Sequence, residues 1–172
     1  MRTTLTIALV AVLAGCADSH QWQQQQPVSA PISPKNHFYI STPADGQYGA
    51  HQYDGSGRST AQALYSALIQ KTRTARIGPL AKNYDDALMD ARAAEQDILI
   101  FPTILHWEDR ATEWSMIPDK IEVKIDVVEV RSGEVLGSGI IKGKSGISTL
   151  GGDHPQDLLP EPTTRFVDSI LQ

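Results

Sequence analysis

The chain predicts an α/β domain, a mixed β-sheet with helices packed on it, and three patterns carry that expectation. Ile121, Val123, Ile125 and Val127 alternate with Glu122, Lys124 and Asp126, the period-two signature of a strand with one wet face. Residues 97–102, Asp-Ile-Leu-Ile-Phe-Pro, form an apolar run too short for a helix and suited to a strand buried on both faces. Ala61, Leu64, Tyr65, Leu68 and Ile69 recur every three or four positions, which lays an apolar stripe along one side of a helix. Such a stripe needs a flat apolar surface to cover it.

Taken in order, residues 37–41 (His-Phe-Tyr-Ile-Ser) are a short β-rich run ended by Pro43 and Gly46. A loop holding Tyr48, His51 and Tyr53 follows. Ser59 and Gln62 have capping-box spacing, so the first helix is expected to begin there. Residues 75–78 make a weak second strand, and Asp85 to Glu95 a second helix with a narrow face of Ala87, Leu88, Ala91 and Ala94. After the buried and alternating strands, residues 131–134 turn the chain into a further strand from Val135 to Lys142, closing a hairpin. Pro162 suits a first helical turn, and Phe166, Val167, Ile170 and Leu171 give a closing helix its apolar face. The expected order is β-α-β-α-β-β-β-α, in a single domain over residues 36–172.

Composition narrows the function classes. The 172 residues are 41% hydrophobic and 20% charged, ordinary for one globular domain. Lys and Arg number 15 against 20 Asp and Glu, a net charge of -5 with no basic run, so a nucleic-acid partner is not expected. The single cysteine, Cys16, excludes an intramolecular disulfide framework and a multi-cysteine zinc site.

Residues 1–15 read as an export signal: Arg2, an apolar stretch from Leu5, then Leu13-Ala14-Gly15 before Cys16. The stretch is well short of the roughly 20 apolar residues that span a bilayer as a helix. The Leu-Ala-Gly-Cys tetrapeptide resembles the bacterial lipobox. That resemblance implies cleavage before Cys16, a diacylglyceryl group on its thiol and an acyl chain such as palmitate on its new amino group, enough chains for a stable anchor. Ala17 in place of Asp favours the outer membrane, facing the periplasm, with Asp18 one position later. Residues 16–35, with their glutamines and with Pro27, Pro31 and Pro34, are expected to be a flexible tether spanning roughly 25 Å, in which Trp22 is an incidental linker residue or rests at the lipid headgroups.

The densest polar and aromatic stretch follows the buried strand: His106, Trp107, Glu108, Asp109, Arg110, then Glu113 and Trp114. If it is extended, His106, Glu108 and Arg110 share one face, with Trp107 and Asp109 on the other. Four readings stand. His106 with Glu108 or Asp109 is a candidate acid–base pair. The same groups are candidate metal ligands, although no HExxH-like spacing is present. Trp107, Trp114 and Arg110 suit a partner surface, and the plainest reading is an ion pair with two rings closing the core. Gly55, Ser56, Gly57 and Arg58 precede a helix and form a weak candidate anion cradle, against the simpler reading of a tight turn. Asp153, with His154 and Pro155, fits a turn into a helix, the other reading being part of a site with His106. No nucleophile elbow and no nucleotide or other cofactor motif is visible, so no catalytic residue, cofactor or metal is assigned.

The stretch at residues 106–114, the Tyr53 to Gly57 segment and Gly151-Gly152-Asp153 together resemble a family of bacterial lipoproteins whose domain has no assigned function. The resemblance covers the chain from about Phe38 onward. The element order is also similar to periplasmic domains of envelope lipoproteins and assembly factors, including the amino-terminal domain of the Tol translocation protein, the curli secretion lipoprotein and lipoprotein activators of cell-wall synthases. The sequence is therefore expected to encode a lipid-anchored accessory or assembly factor that binds an envelope protein, with no enzymatic activity assigned and its oligomeric state open. The alternatives are an envelope enzyme acting on cell-wall or lipid material and a small-ligand-binding module.

Overall fold

The computed structural model describes residues 18–110, 117–146 and 154–171. Its centre is a six-stranded mixed sheet in the order β1-β8-β7-β6-β2-β5. The strands are β1 (Ser19–Gln26), β2 (His37–Thr42), β5 (Thr74–Leu80), β6 (Ile98–Glu108), β7 (Lys120–Glu129) and β8 (Val135–Lys144). A separate small hairpin pairs β3 (Gln47–Tyr48) with β4 (His51–Gln52), where the sequence suggests only a loop. The helices are α1 (Ser56–Ile69), α2 (Tyr84–Ala93) and α3 (Pro160–Ile170), the last preceded by a 3-10 turn at Pro155–Leu158. The α/β class and the packing of helices on a mixed sheet are as the sequence predicts; the element count is not.

Topology follows from two crossovers that run in opposite directions. The chain passes from β2 through α1 to β5 at the sheet edge, then back through α2 to β6 on the other side of β2. Crossovers of one hand that travel in opposite directions place their helices on opposite faces. Accordingly, Leu64, Ala67 and Leu68 of α1 join Phe38, Ile40, Ile100, Val123 and Ile125 in one core, whereas Ala87, Leu88 and Ala91 of α2 pack on Tyr39, Leu99, Val128 and Val130. Phe166, Val167 and Ile170 of α3 extend the first core over β1 and β8.

This arrangement explains the burial along β6. Ile98, Leu99 and Ile100 lie between both helical layers and are all buried. Beyond Phe101 the second face loses its helix, and the strand continues as an outward-alternating one to Glu108, well past the end expected from its apolar run. In β7, Ile121, Val123, Ile125 and Val127 point to the first core while Glu122 and Lys124 pair with Lys142 and Asp126 on the wet face.

The tether is where expectation and structure part. Residues 19–26 form a strand antiparallel to β8, from Ser19 opposite Lys144 to Gln26 opposite Ser138. The physical reason is alternation hidden in a polar composition. His20 and Trp22 face inward, His20 to Glu161 at 3.0 Å and Trp22 edge-on to Phe166 at 5.2 Å, while Gln21 and Gln23 face out. Gly139 of β8 lies beneath the indole, which occupies the space a Cβ there would take. Trp22 is thus neither an incidental linker residue nor a ring in the headgroups.

The first helix also starts earlier than the Ser59–Gln62 spacing suggests. Gly55 adopts φ 89°, a conformation that costs glycine little, and the helix begins at Ser56. The closing helix begins at Pro160, so Pro162 does lie in its first turn. The 3-10 turn before it is held by the Asp157 carboxylate accepting from His154 N at 2.9 Å. Cys16, Glu113, Trp114 and Gly151-Gly152-Asp153 lie outside the described residues.

Candidate functional site

The carboxyl end of β6, the start of β7, the end of β8 and the start of β1 lie side by side. Ser19, Lys144, Lys120 and Glu108 form one row across these four strands; the next row on the same face, two residues along, is Gln21, Lys142, Glu122 and His106. The row between them, His20, Gly143, Ile121 and Trp107, faces the core side. A shallow depression of about 340 Å³ runs over the polar face, bordered by His106, Lys120, Glu122, Lys142 and Lys144.

A register shift between Ile104 and His106 fixes which residues reach this face. His106 Nε2 and Glu108 Oε2 are 3.0 Å apart, and Arg110 Nε lies 2.8 Å from Glu108 Oε1. The Glu108 side chain is only 4% exposed, so both carboxylate oxygens are removed from water and each is matched by a nitrogen. The Arg110 guanidinium also stands 4.9 Å from the Tyr48 ring centre, and Tyr48 meets the His106 ring edge-on at 5.0 Å. The β3–β4 hairpin therefore serves to bring Tyr48 over the end of β6. Backbone ties complete the corner: Arg110 N donates to Asp119 Oδ1 at 2.6 Å, and Asp119 N donates to Ser145 Oγ at 2.8 Å.

The sequence reading places His106, Glu108 and Arg110 on one face, and the structure brings these three together. It sends the others elsewhere. Trp107, 3% exposed, lies in the core against Gly46, where a Cβ would collide with it, so its ring is not available as a partner contact. Asp109 borders a different depression, beside His51, Tyr53, Asp54 and Gln156, with His154 Nδ1 at 4.0 Å. Asp109 does not join His106 and Glu108, and the two Glu108 oxygens are already matched by nitrogens of His106 and Arg110. As chemistry, the cluster is a fastening for the end of β6. Among the described residues, no group of three or more His, Cys, Asp and Glu side chains is arranged to hold a metal ion.

The candidate anion cradle already has an occupant from within the chain. Asp45 Oδ1 accepts from Gly57 N at 2.8 Å and from the Ser56 hydroxyl at 3.4 Å, while Gly46 N donates to Ser56 Oγ at 2.7 Å. A carboxylate thus sits where the helix start favours negative charge. Gly57 is required because Pro43 O occupies the place of a Cβ. Arg58 points away, to a groove of about 430 Å³ between α1 and α3.

Sequence reasoning missed Tyr48, Asp119, Lys120, Lys142 and Lys144. The lysines had a legible signal: Lys142 and Lys144 flank Gly143, and Lys120 precedes the alternating strand in phase with Glu122. Tyr48 had none, since only the hairpin carries it to β6.

Comparison with known proteins places this geometry in a shared fold. A PelC dodecamer from Paraburkholderia phytofirmans is similar at a TM-score of 0.69 and 12% identity, with 88% of this chain and 99% of that chain covered. Protein XCC0632 from Xanthomonas campestris follows at 0.51 and 11%, covering 83% and 85%. Lipoprotein GNA1162 from Neisseria meningitidis is similar at 0.50 and 14%, covering 79% and 98%. At these identities the likeness is one of fold. No curated protein matches the chain in sequence. A family model does match over residues 30–170, and the chain belongs to that family, DUF4823, a domain of unknown function.

Proposed function

We propose that this chain is an envelope lipoprotein, acylated at Cys16 and held to the periplasmic face of the outer membrane, that works by protein contact as an accessory or assembly factor. The observation that carries the reading is β1. It is eight residues long, begins three residues after Cys16, and among the described strands pairs only with β8. Among the described residues no strand pairs with its outer side, and it contains no proline or lysine of the kind that blunts sheet edges. The opposite edge, β5, does contain Gly78-Pro79. A partner strand adding to β1 would gain backbone hydrogen bonds directly.

Two further observations support the reading. The fold is shared with a lipoprotein and with a protein solved as a dodecamer, PelC, so copies of this chain are among the partners to test. The exposed part of the 106–110 segment, with Tyr48 and Leu105 beside it, offers a second contact region in which Arg110 and Asp109 stand with aromatic and apolar side chains; Leu105 is 49% exposed.

The test is photo-crosslinking from Gln23 in intact envelopes, together with mass spectrometry of Cys16. The expected result is an acylated Cys16 and one adduct of defined mass, which shows whether the partner is a second copy. The adduct should disappear in the Gln23→Lys/Gln25→Lys variant, whose charges oppose strand addition. An unmodified thiol, or no discrete adduct, overturns the proposal.

A further inference from the structure

We propose that the lysine face at the Cys16 end of the sheet, Lys120, Lys142 and Lys144, lies against anionic phospholipid headgroups of the bilayer that holds the acyl chains. The inference rests on the acylation reading and goes beyond it, since an anchor alone leaves the orientation of the domain open.

The first argument is reach. Because residues 19–26 are a strand and not a tether, only the link from Cys16 to Ser19 separates lipid from fold, and three residues span at most about 11 Å. Ser19 is directly opposite Lys144, which is in turn opposite Lys120. The row that begins at the anchor therefore runs straight into two lysines, and the flexible (CH₂)₄ stem of each extends its ammonium further.

The second argument is charge. The chain carries -5 overall, yet this corner gathers three lysines on one face. Lys142 is paired with Glu122 at 3.1 Å, whereas Lys120 and Lys144 are exposed and have no ion pair with another described residue. Of the nearby acids, Glu108 is buried between His106 and Arg110 and Asp119 is buried against the Arg110 backbone, while Asp18, which is exposed, accepts from Gly146 N at 2.9 Å and offsets one lysine. What faces outward is net positive, and a lysine held near an anionic surface strengthens membrane attachment about five-fold.

The third is coverage. The opposite face of these strands is closed by α3 and the 3-10 turn, whereas on this face α2 covers only the far end, around Leu99 and Val128, and leaves the lysine end without a helix. A negatively charged headgroup layer fits a sheet corner from which Lys120, Lys142 and Lys144 project beside His106 and Glu122.

The acylated protein should be reconstituted into phosphatidylcholine vesicles and into vesicles with about 30% phosphatidylglycerol, a fraction sufficient for a marked negative surface potential. Each lysine is then acetylated and read by mass spectrometry. On the anionic vesicles Lys120 and Lys144 should label about three- to five-fold more slowly, as expected for ammonium groups held at a charged surface, and the difference should vanish at about 0.5 M salt. Lys35 and Lys71, which precede the starts of β2 and β5 at the other end of those strands, should label equally on both. Protein that floats with neutral vesicles but labels equally on both overturns this proposal alone. Protein that does not float with neutral vesicles overturns the anchor, and this proposal with it. An acidic protein partner for the lysines would appear as protection that persists on neutral vesicles only when that partner is present, and it too would overturn the assignment.

Discussion

The indole of Trp22 stands edge-on to the Phe166 ring, 5.2 Å between centroids at 67°, and so couples the first strand to the last helix. The contact buries aromatic surface on both and fills the hollow above Gly139. Trp22→Ala is expected to cost about 2–3 kcal/mol, below the value for a fully buried tryptophan because the ring is partly exposed. Hydrogen exchange should show β1 opening well before the rest of the sheet. Unchanged protection of residues 19–26 would contradict the packing described.

Glu108 is the buried centre of the His106–Glu108–Arg110 cluster. Glu108→Ala removes one carboxylate and leaves the Arg110 guanidinium and the His106 ring, both partly exposed and open to hydration, so the cost is expected at about 1–2 kcal/mol and not the larger penalty of a stranded buried charge. Chemical denaturation measures it, with an unchanged m-value if the native fold is kept.

Asp45 caps α1 from outside the helix. Asp45→Ala should lower stability by about 1 kcal/mol, the usual loss for a helix-start acceptor. Gly57→Ala should cost more, about 2 kcal/mol or above, because its methyl group meets the Pro43 carbonyl and the loop must move. Thermal unfolding of the two variants gives the order.

Burial raises the Tyr39 phenol above its ordinary range, and the Asp90 carboxylate adds to the shift. The folded state therefore favours the neutral phenol more than the unfolded state does. The corresponding stability is intact below pH about 10 and is lost as pH rises through the folded value. Tyr84 is raised by burial too, and its hydroxyl donates to Gly133 O at 2.7 Å, a bond lost on ionisation. Tyr39→Phe should flatten the decline in denaturation midpoint above pH about 10, and Tyr39→Phe/Tyr84→Phe should flatten it further.

Most of the sheet was legible because apolar spacing and burial coincide there, as in β7, where every second residue from Ile121 to Val127 enters the core. The joint placement of His106, Glu108 and Arg110 was legible for the same reason, since two-residue spacing on an extended strand puts side chains on one face. β1 was not, because its inward pair is a histidine and one tryptophan among glutamines, and its stability comes from Phe166 and Glu161 at the far end of the chain. The occupant of the Gly55–Gly57 turn was invisible for a similar reason: Asp45 reaches it only through the fold of the intervening hairpin.

The pairing of β1 with β8, and the bridge between Ile32 and Leu171, make neighbours of the earliest and latest parts of the folded chain. Contacts of such wide separation form late, because a long loop must close before they contribute anything. For a polypeptide threaded through a translocon amino end first, the glutamine-rich segment waits as a solvent-exposed ribbon until nearly the whole length has followed. On the proposed export of this chain, assembly would be timed to the completion of crossing, and a fragment lacking its final hundred residues has no β8 against which to lay its opening strand.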